Sequence, residues 1–145
     1  MIIGENTRTF IDRQRIGHLA TVDEHAHAHV VPVCFALSGD TAYIAIDEKP
    51  KTKDYTQLRR LRNIAANPHV QLLFDEYDDV DWSRLRYAQF SGTARIIERD
   101  EEHATAVAVL RHRYPQYAKM ALESRPVIAV DVQQLVEWRA DRLTD

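Results

Sequence analysis

The chain has 145 residues, 45% hydrophobic and 28% charged, with a formal net charge of −3. That length and balance suit one soluble domain with its own core, and exclude a disordered, fibrous or disulfide-stapled chain. Net negative charge and a dense acidic loop argue against nucleic acid as a partner. The lone cysteine, Cys34, rules out an internal disulfide and fits a reducing compartment.

The first residues carry no long apolar run of the secretory type, and no segment reaches the ~20 apolar residues a membrane helix needs. The expectation is a cytoplasmic protein without membrane contact. Residues 6–15 suggest a short helix capped by Asn6 or Thr7. A strand follows over 17–22, then the polar turn Asp23-Glu24-His25-Ala26 and a second strand over 29–37. Pro32 has no N–H to donate, so this strand sits at an edge, a bulge or an interrupted pairing. The turn Ser38-Gly39-Asp40 leads to a third strand over 41–46, which makes an antiparallel meander.

Past the basic loop Lys49-Pro50-Lys51-Thr52-Lys53, apolar Tyr55, Leu58, Leu61, Ile64 and Ala65 recur at helical spacing over 54–66. Asn67-Pro68 ends that helix. A strand over 70–74, an acidic loop over 75–82 and a long strand over 87–97 follow, the last bulged at Ser91-Gly92. Asp100 reads as the N-cap of a helix whose apolar face holds Ala104, Val107, Ala108 and Tyr114, stopped by Pro115. A short helical piece over 117–123 precedes a final strand from Pro126 toward Trp138. About six mostly antiparallel strands and two or three helices give a mainly β fold with α (α+β), a barrel with helical caps, as a single domain over 1–145.

Lys49, Lys51, Lys53, Arg59, Arg60 and Arg62 have only Asp54 against them, and they flank a helix start. Unpaired N–H groups and the helix dipole favour anions there, and Thr52 adds a hydroxyl, so the stretch reads as a phosphate cradle. A solvated basic face explains the same charges. No P-loop or dinucleotide glycine fingerprint occurs. His25, His27 and His29 alternate but diverge, and the acidic cluster lacks EF-hand spacing, so no metal site is expected. Cys34 reads as a packed apolar residue. No nucleophile elbow or triad motif is visible, which suits a protein whose cofactor carries the chemistry. Trp82 and Trp138 stand at element ends, where barrel mouths and dimer seams are found.

The motifs Arg15-Ile16-Gly17-His18-Leu19-Ala20-Thr21-Val22-Asp23, His29-Val30-Val31-Pro32-Val33 and Ala45-Ile46-Asp47-Glu48-Lys49-Pro50-Lys51-Thr52 resemble the pyridoxamine-phosphate-oxidase-like superfamily. The nearest subgroup is the flavin/deazaflavin oxidoreductases of class B, many of which use coenzyme F-420. The stretch from Leu58 through Arg62-Asn63 to Asn67-Pro68, together with Asp81-Trp82-Ser83-Arg84-Leu85 and Gly92-Thr93-Ala94, extends the resemblance over about residues 15–140.

The resemblance implies a split β-barrel homodimer with cofactor sites at the subunit interface. By that resemblance His29, Val30, Pro32 and Val33 lie along the ring. Ile46, Asp47, Lys49, Lys51 and Thr52 hold the ribityl chain and phosphate. Arg62 and Asn63 complete the phosphate end, and Trp82 and Trp138 approach from the partner. Departures at Ala26 and Ala28, and at Arg86-Tyr87-Ala88-Gln89, leave the substrate open.

The expected function is hydride transfer from reduced F-420 to a small conjugated or electron-poor acceptor. Basic Lys53, Arg59 and Arg60 suit the acidic tail of that cofactor. FMN in a flavin reductase or oxidase is the alternative, and a non-enzymatic flavin-binding module the third reading.

Overall fold

Buried and exposed side chains alternate along most strands of the computed structural model, which describes residues 1–47 and 54–140. The strands are β1 (Gly17–Val22), β2 (Ala28–Val33), β3 (Phe35–Ser38), β4 (Thr41–Ala45), β5 (His69–Glu76), β6 (Arg86–Ile97) and β7 (Val127–Arg139). They form one antiparallel sheet in the order β2-β1-β5-β6-β7-β4-β3, curled into a split-barrel half. The helices are α1 (Glu5–Arg13), α2 (Arg59–Ala66) and α3 (Glu101–Arg113).

The concave side holds the main core. Leu19, Phe35, Ile44, Leu72, Phe74, Phe90 and Ile128 meet there, plugged by Phe10 and Ile11 of α1 and by Leu61 and Ile64 of α2. Phe74 lies at its centre, its ring 4.6 Å from that of Phe35 and 5.3 Å from that of Phe90, distances at which aromatic pairs add to simple burial. A second cluster packs α3, through Ala106, Val107 and Leu110, against Tyr43, Ala45, Val127 and Ala129 on the convex side of β4 and β7. Among the described residues, helices cover only that half of the convex side.

Several expectations need correction. The single strand expected over 29–37 is two strands parted at Cys34, and they occupy opposite edges of the sheet. The expected six strands are therefore seven, and the meander is two separate hairpins. α1 starts at Glu5 with Gly4 as N-cap and no side-chain cap, so neither Asn6 nor Thr7 serves. Thr7 instead donates from Oγ1 to Glu137 at 2.6 Å, a tie between α1 and β7.

The helix expected over 54–66 begins with a 3-10 turn, Tyr55–Gln57, capped by Asp54. Leu58, at ψ 134°, breaks it from α2. The piece expected over 117–123 is two 3-10 turns, Pro115–Lys119 and Leu122–Ser124. The buried face of α3 is His103, Ala106, Val107 and Leu110, while Ala104 and Ala108 are exposed. Alanines lie on both sides of this helix and a histidine on the buried one, so periodicity alone misplaced the face. His103 is satisfied inside by its Nε2 contact of 2.7 Å with the Arg125 carbonyl.

Other features stand as the sequence suggests. Pro32 lies on edge strand β2. The ladder of β6 and β7 shifts register between Ser91 and Gly92. A Cβ at Gly92 would stand 2.3 Å from the Asp131 carbonyl oxygen, so the close approach requires glycine. Asp100 caps α3, its carboxylate accepting from the His103 N–H at 2.7 Å.

Candidate functional site

The first half of α2 closes the end of the β1–β2 hairpin. Thr21 and His29 face each other across that hairpin. The buried Asn63 amide donates to Thr21 Oγ1 at 2.9 Å, fixing helix to strand. His29 Nδ1 is buried and has no hydrogen-bond partner among the described residues. Burial, then the charges of Arg59 and Arg60, hold the imidazole pKa below its ordinary value. Arg60 is buried at 9% exposure, although its position on a basic helix suggested solvent. A cleft of about 380 Å³ opens beside this group, lined by Asp23, His25, Arg59, Arg62 and Asn63 among others.

The other candidates divide by position. His29 and Val33 point inward on β2, whereas Val30 and Pro32 are exposed on the opposite face, so the four do not share a side. Val33 is a core residue at 7% exposure. Ile46 is fully buried, and its carbonyl accepts from Arg125 Nη1 at 3.1 Å. Asp47 accepts from the Tyr117 hydroxyl at 3.0 Å. Burial pushes the Tyr117 pKa up strongly, with Cys34 and Asp47 adding to it. Tyr117 and Arg125 thus anchor the chain where it leaves β4 toward the basic loop. Neither carried a sequence signal, because each contacts a segment some 70 or more positions away. Lys49, Lys51 and Thr52, with Lys53, lie outside the described residues.

Trp138 stacks on Tyr87 with ring centroids 6.0 Å apart, and Trp82 is 64% exposed. Among the described residues no group of three or more His, Cys, Asp or Glu is placed to hold a metal. The residues His25 and His27 instead lie with Asp23 in the β1–β2 turn, both backbone N–H groups donating to its carboxylate.

The convex face of β2, β1, β5, β6 and the second half of β7 has no described helix over it. Hydrogen-bonded register aligns Pro32, His18, Leu73, Gln89 and Val136 across it in one row. Val30, Leu73 and Val136 are exposed apolar side chains there. Amid them His18 Nδ1 and Gln71 Oε1 are buried from water yet have no hydrogen-bond partner among the described residues. Buried polar atoms of this kind are rare in finished surfaces.

The family model described as pyridoxamine 5'-phosphate oxidase matches residues 3–139. The chain belongs to the pyridoxamine 5'-phosphate oxidase family. A curated relative in Streptomyces rimosus, 5a,11a-dehydrotetracycline/5a,11a-dehydrooxytetracycline reductase, is 32% identical over 89 residues. That match covers 61% of this chain and 60% of the relative, so the chain matches under two thirds of the relative's length.

Among solved structures, a conserved hypothetical protein of Mycobacterium tuberculosis superposes with a TM-score of 0.78 at 20% identity, over 99% of this chain and 89% of that one. A heme storage protein of Vibrio cholerae gives 0.73 at 19% identity, over 96% and 95%. A 5-nitroimidazole antibiotic resistance protein of Bacteroides thetaiotaomicron gives 0.72 at 19% identity, over 94% and 85%. These likenesses establish the split-barrel fold shared by pyridoxamine 5'-phosphate oxidase family members.

No helix among the described residues is long and apolar enough to cross a membrane.

Proposed function

We propose that this family member is an oxidoreductase that binds a flavin-type cofactor between two copies of the chain and presents it to a small-molecule acceptor. The carrying observation is the α2 side of the cleft, where Arg59 and Arg62 stand opposite Asp23 and Glu24 of the hairpin turn. There a buried, unpartnered His29 nitrogen lies under the field of Arg59 and Arg60, an arrangement that an anionic group relieves. The residues present therefore fit a phosphate-bearing cofactor.

In this reading Arg59, Arg62 and His29 hold the phosphate end together with Lys51 and Thr52. Tyr117 and Arg125 keep the end of β4 in place beneath it. The bound cofactor supplies hydride transfer, which none of the described side chains provides. The chain binds and orients it, and Trp82 and Trp138 of the second copy shield the ring from water. Val30 and Pro32 face that second copy. The bare convex face, with its apolar row and its two unpaired buried atoms, supports the dimer.

F-420 is the favoured cofactor. Arg59 and Arg62 of the cleft suit an acidic tail beyond the phosphate, and the reductase relative supports reduction of an electron-poor, conjugated acceptor. FMN is the second reading, supported by the family itself.

One titration tests both. Purified protein is titrated with F-420 and with FMN, each followed by fluorescence. F-420 binding at micromolar concentration, with weaker FMN binding, is the expected result. Preference for FMN moves the protein to the second reading, and binding of neither leaves the cleft without its proposed ligand.

A further inference from the structure

At the end of the half-barrel where α1 finishes, four arginines from four elements converge. Arg13 ends α1, Arg84 ends the 3-10 turn Trp82–Arg84, Arg86 opens β6 and Arg139 closes β7. Arg86 and Arg139 are register partners. All four line one cleft of about 250 Å³, and among the described residues Glu76 is the only carboxylate lining it with them. Gathering like charges in one cleft is unfavourable unless something compensates.

The compensation within the chain is poor. Arg13 stands 3.9 Å from Glu76, Arg84 3.8 Å from Asp78 and Arg86 3.5 Å from Glu137. Arg139 has no ion pair or side-chain hydrogen bond among the described residues. Elsewhere the same chain pairs an arginine fully: Arg95 reaches both Glu102 and Asp131 at 2.7 Å. Charge-assisted hydrogen bonds are normally that short, so the arginines of the cleft keep most of their donors unused.

Arg86 is the sharpest case. Its side chain is only 10% exposed. Its guanidinium lies 4.2 Å from the centre of the Phe10 ring, which holds it in place but satisfies no N–H. Its Nε is buried without a hydrogen-bond partner among the described residues. An unmet guanidinium donor in a cleft is costly, and an oxyanion offers two oxygens spaced to match its fork.

We propose that this cleft is a second anion site, which binds the carboxylate or phosphate of a small ligand. Arg86 forms the floor, and Arg13, Arg84 and Arg139 are the walls. It is built from elements other than α2 and the β1–β2 hairpin, although Arg84 and Arg139 adjoin Trp82 and Trp138, which the proposed dimer turns toward the partner's cofactor.

The test is calorimetric titration of the full chain with inorganic phosphate and, separately, with succinate, at ionic strength held constant with sodium chloride. Saturable binding of at least one is expected. Arg84→Gln, nearer solvent than Arg86, and Arg139→Gln, which breaks no ion pair among the described residues, should each weaken it about tenfold, one charge-assisted hydrogen bond's worth. Stronger binding of phosphate than of succinate identifies the phosphate class, and the reverse the carboxylate class. Arg59→Gln, in the α2 cleft, should leave this binding in place. Loss of binding in Arg59→Gln but not in the other two variants places the anion at α2 and overturns the proposal. Absence of binding beyond that in matched chloride overturns it as well.

Discussion

His29 links burial to charge in a way that can be measured. Its pKa lies below the ordinary value, so on folding it gives up affinity for a proton. As pH falls through ~6.5 the unfolded chain protonates first, and His29 then subtracts from stability. A bound anion reverses the preference, since it favours the imidazolium. Affinity for an anionic cofactor should therefore gain from His29 protonation as pH falls below ~6.5. The gain is read as the difference between the parent and His29→Gln profiles, which cancels titration of the cofactor itself. Parallel profiles would remove His29 from the site. In the proposed reading Lys51 joins the same cradle, so Lys51→Ala should weaken cofactor binding about ten- to a hundredfold, the worth of one hydrogen bond to a charged group. Unchanged affinity would place the phosphate elsewhere. Residue types of this kind were legible in the sequence because charge and a helix start coincide there. Arg60 was not, because its burial depends on how α2 lies against β1, which no local pattern encodes.

At the level of elements, the bulge in β6 and the docking of α3 are the points most open to test. Gly92→Ala would drive a Cβ against the Asp131 carbonyl, backbone that cannot step aside. It should cost about 1–3 kcal/mol in urea unfolding, the usual range for overpacking. Across the sheet from it, Arg95 bridges Glu102 of α3 and Asp131 of β7, and Tyr43 donates to Glu102 at 2.9 Å. Arg95, and then Tyr43, hold the Glu102 carboxyl below its ordinary pKa, while burial and that same hydrogen bond push Tyr43 up to about 12. A depressed carboxylate stabilises the fold above the unfolded value of ~4.3 and loses that contribution as pH falls through its folded value. Glu102→Gln should thus cost ~0.5–1 kcal/mol near neutral pH, since the pair is partly exposed and screened. The difference from the parent should shrink as pH falls below the unfolded value and through the lowered folded one. Strands with strict alternation, such as β1 and β6, could be read from the sequence. The break at Cys34 could not, because the apolar run through it is continuous and only pairing with β4 ends one strand and begins the next.

For the whole molecule, the proposed dimer is tested at the half of the convex sheet that no described helix covers. Sedimentation should show a species of twice the 16.8 kDa chain mass. Val136→Glu, which adds a charge to the middle of the apolar row, should release monomers and weaken cofactor binding in the same samples. A Val136→Glu protein that stays dimeric would put the interface on another face. The split-barrel fold, read from the antiparallel strands and family motifs, was legible in the sequence. Which face lies bare was not, since that depends on α3 covering one half of the sheet and leaving the other.

The strand order also sets a timetable. β7 is the last strand made, yet it lies between β6 and β4 and pairs with both. On the ribosome β4 has no strand partner on its second edge until the chain has passed Asp131, whereas β1, β2, β5 and β6 can already pair. Closure of the sheet is consequently a late, long-range event of the slow-folding kind. Until then the inner edge of β4 stays unpaired, a strand edge open to other chains.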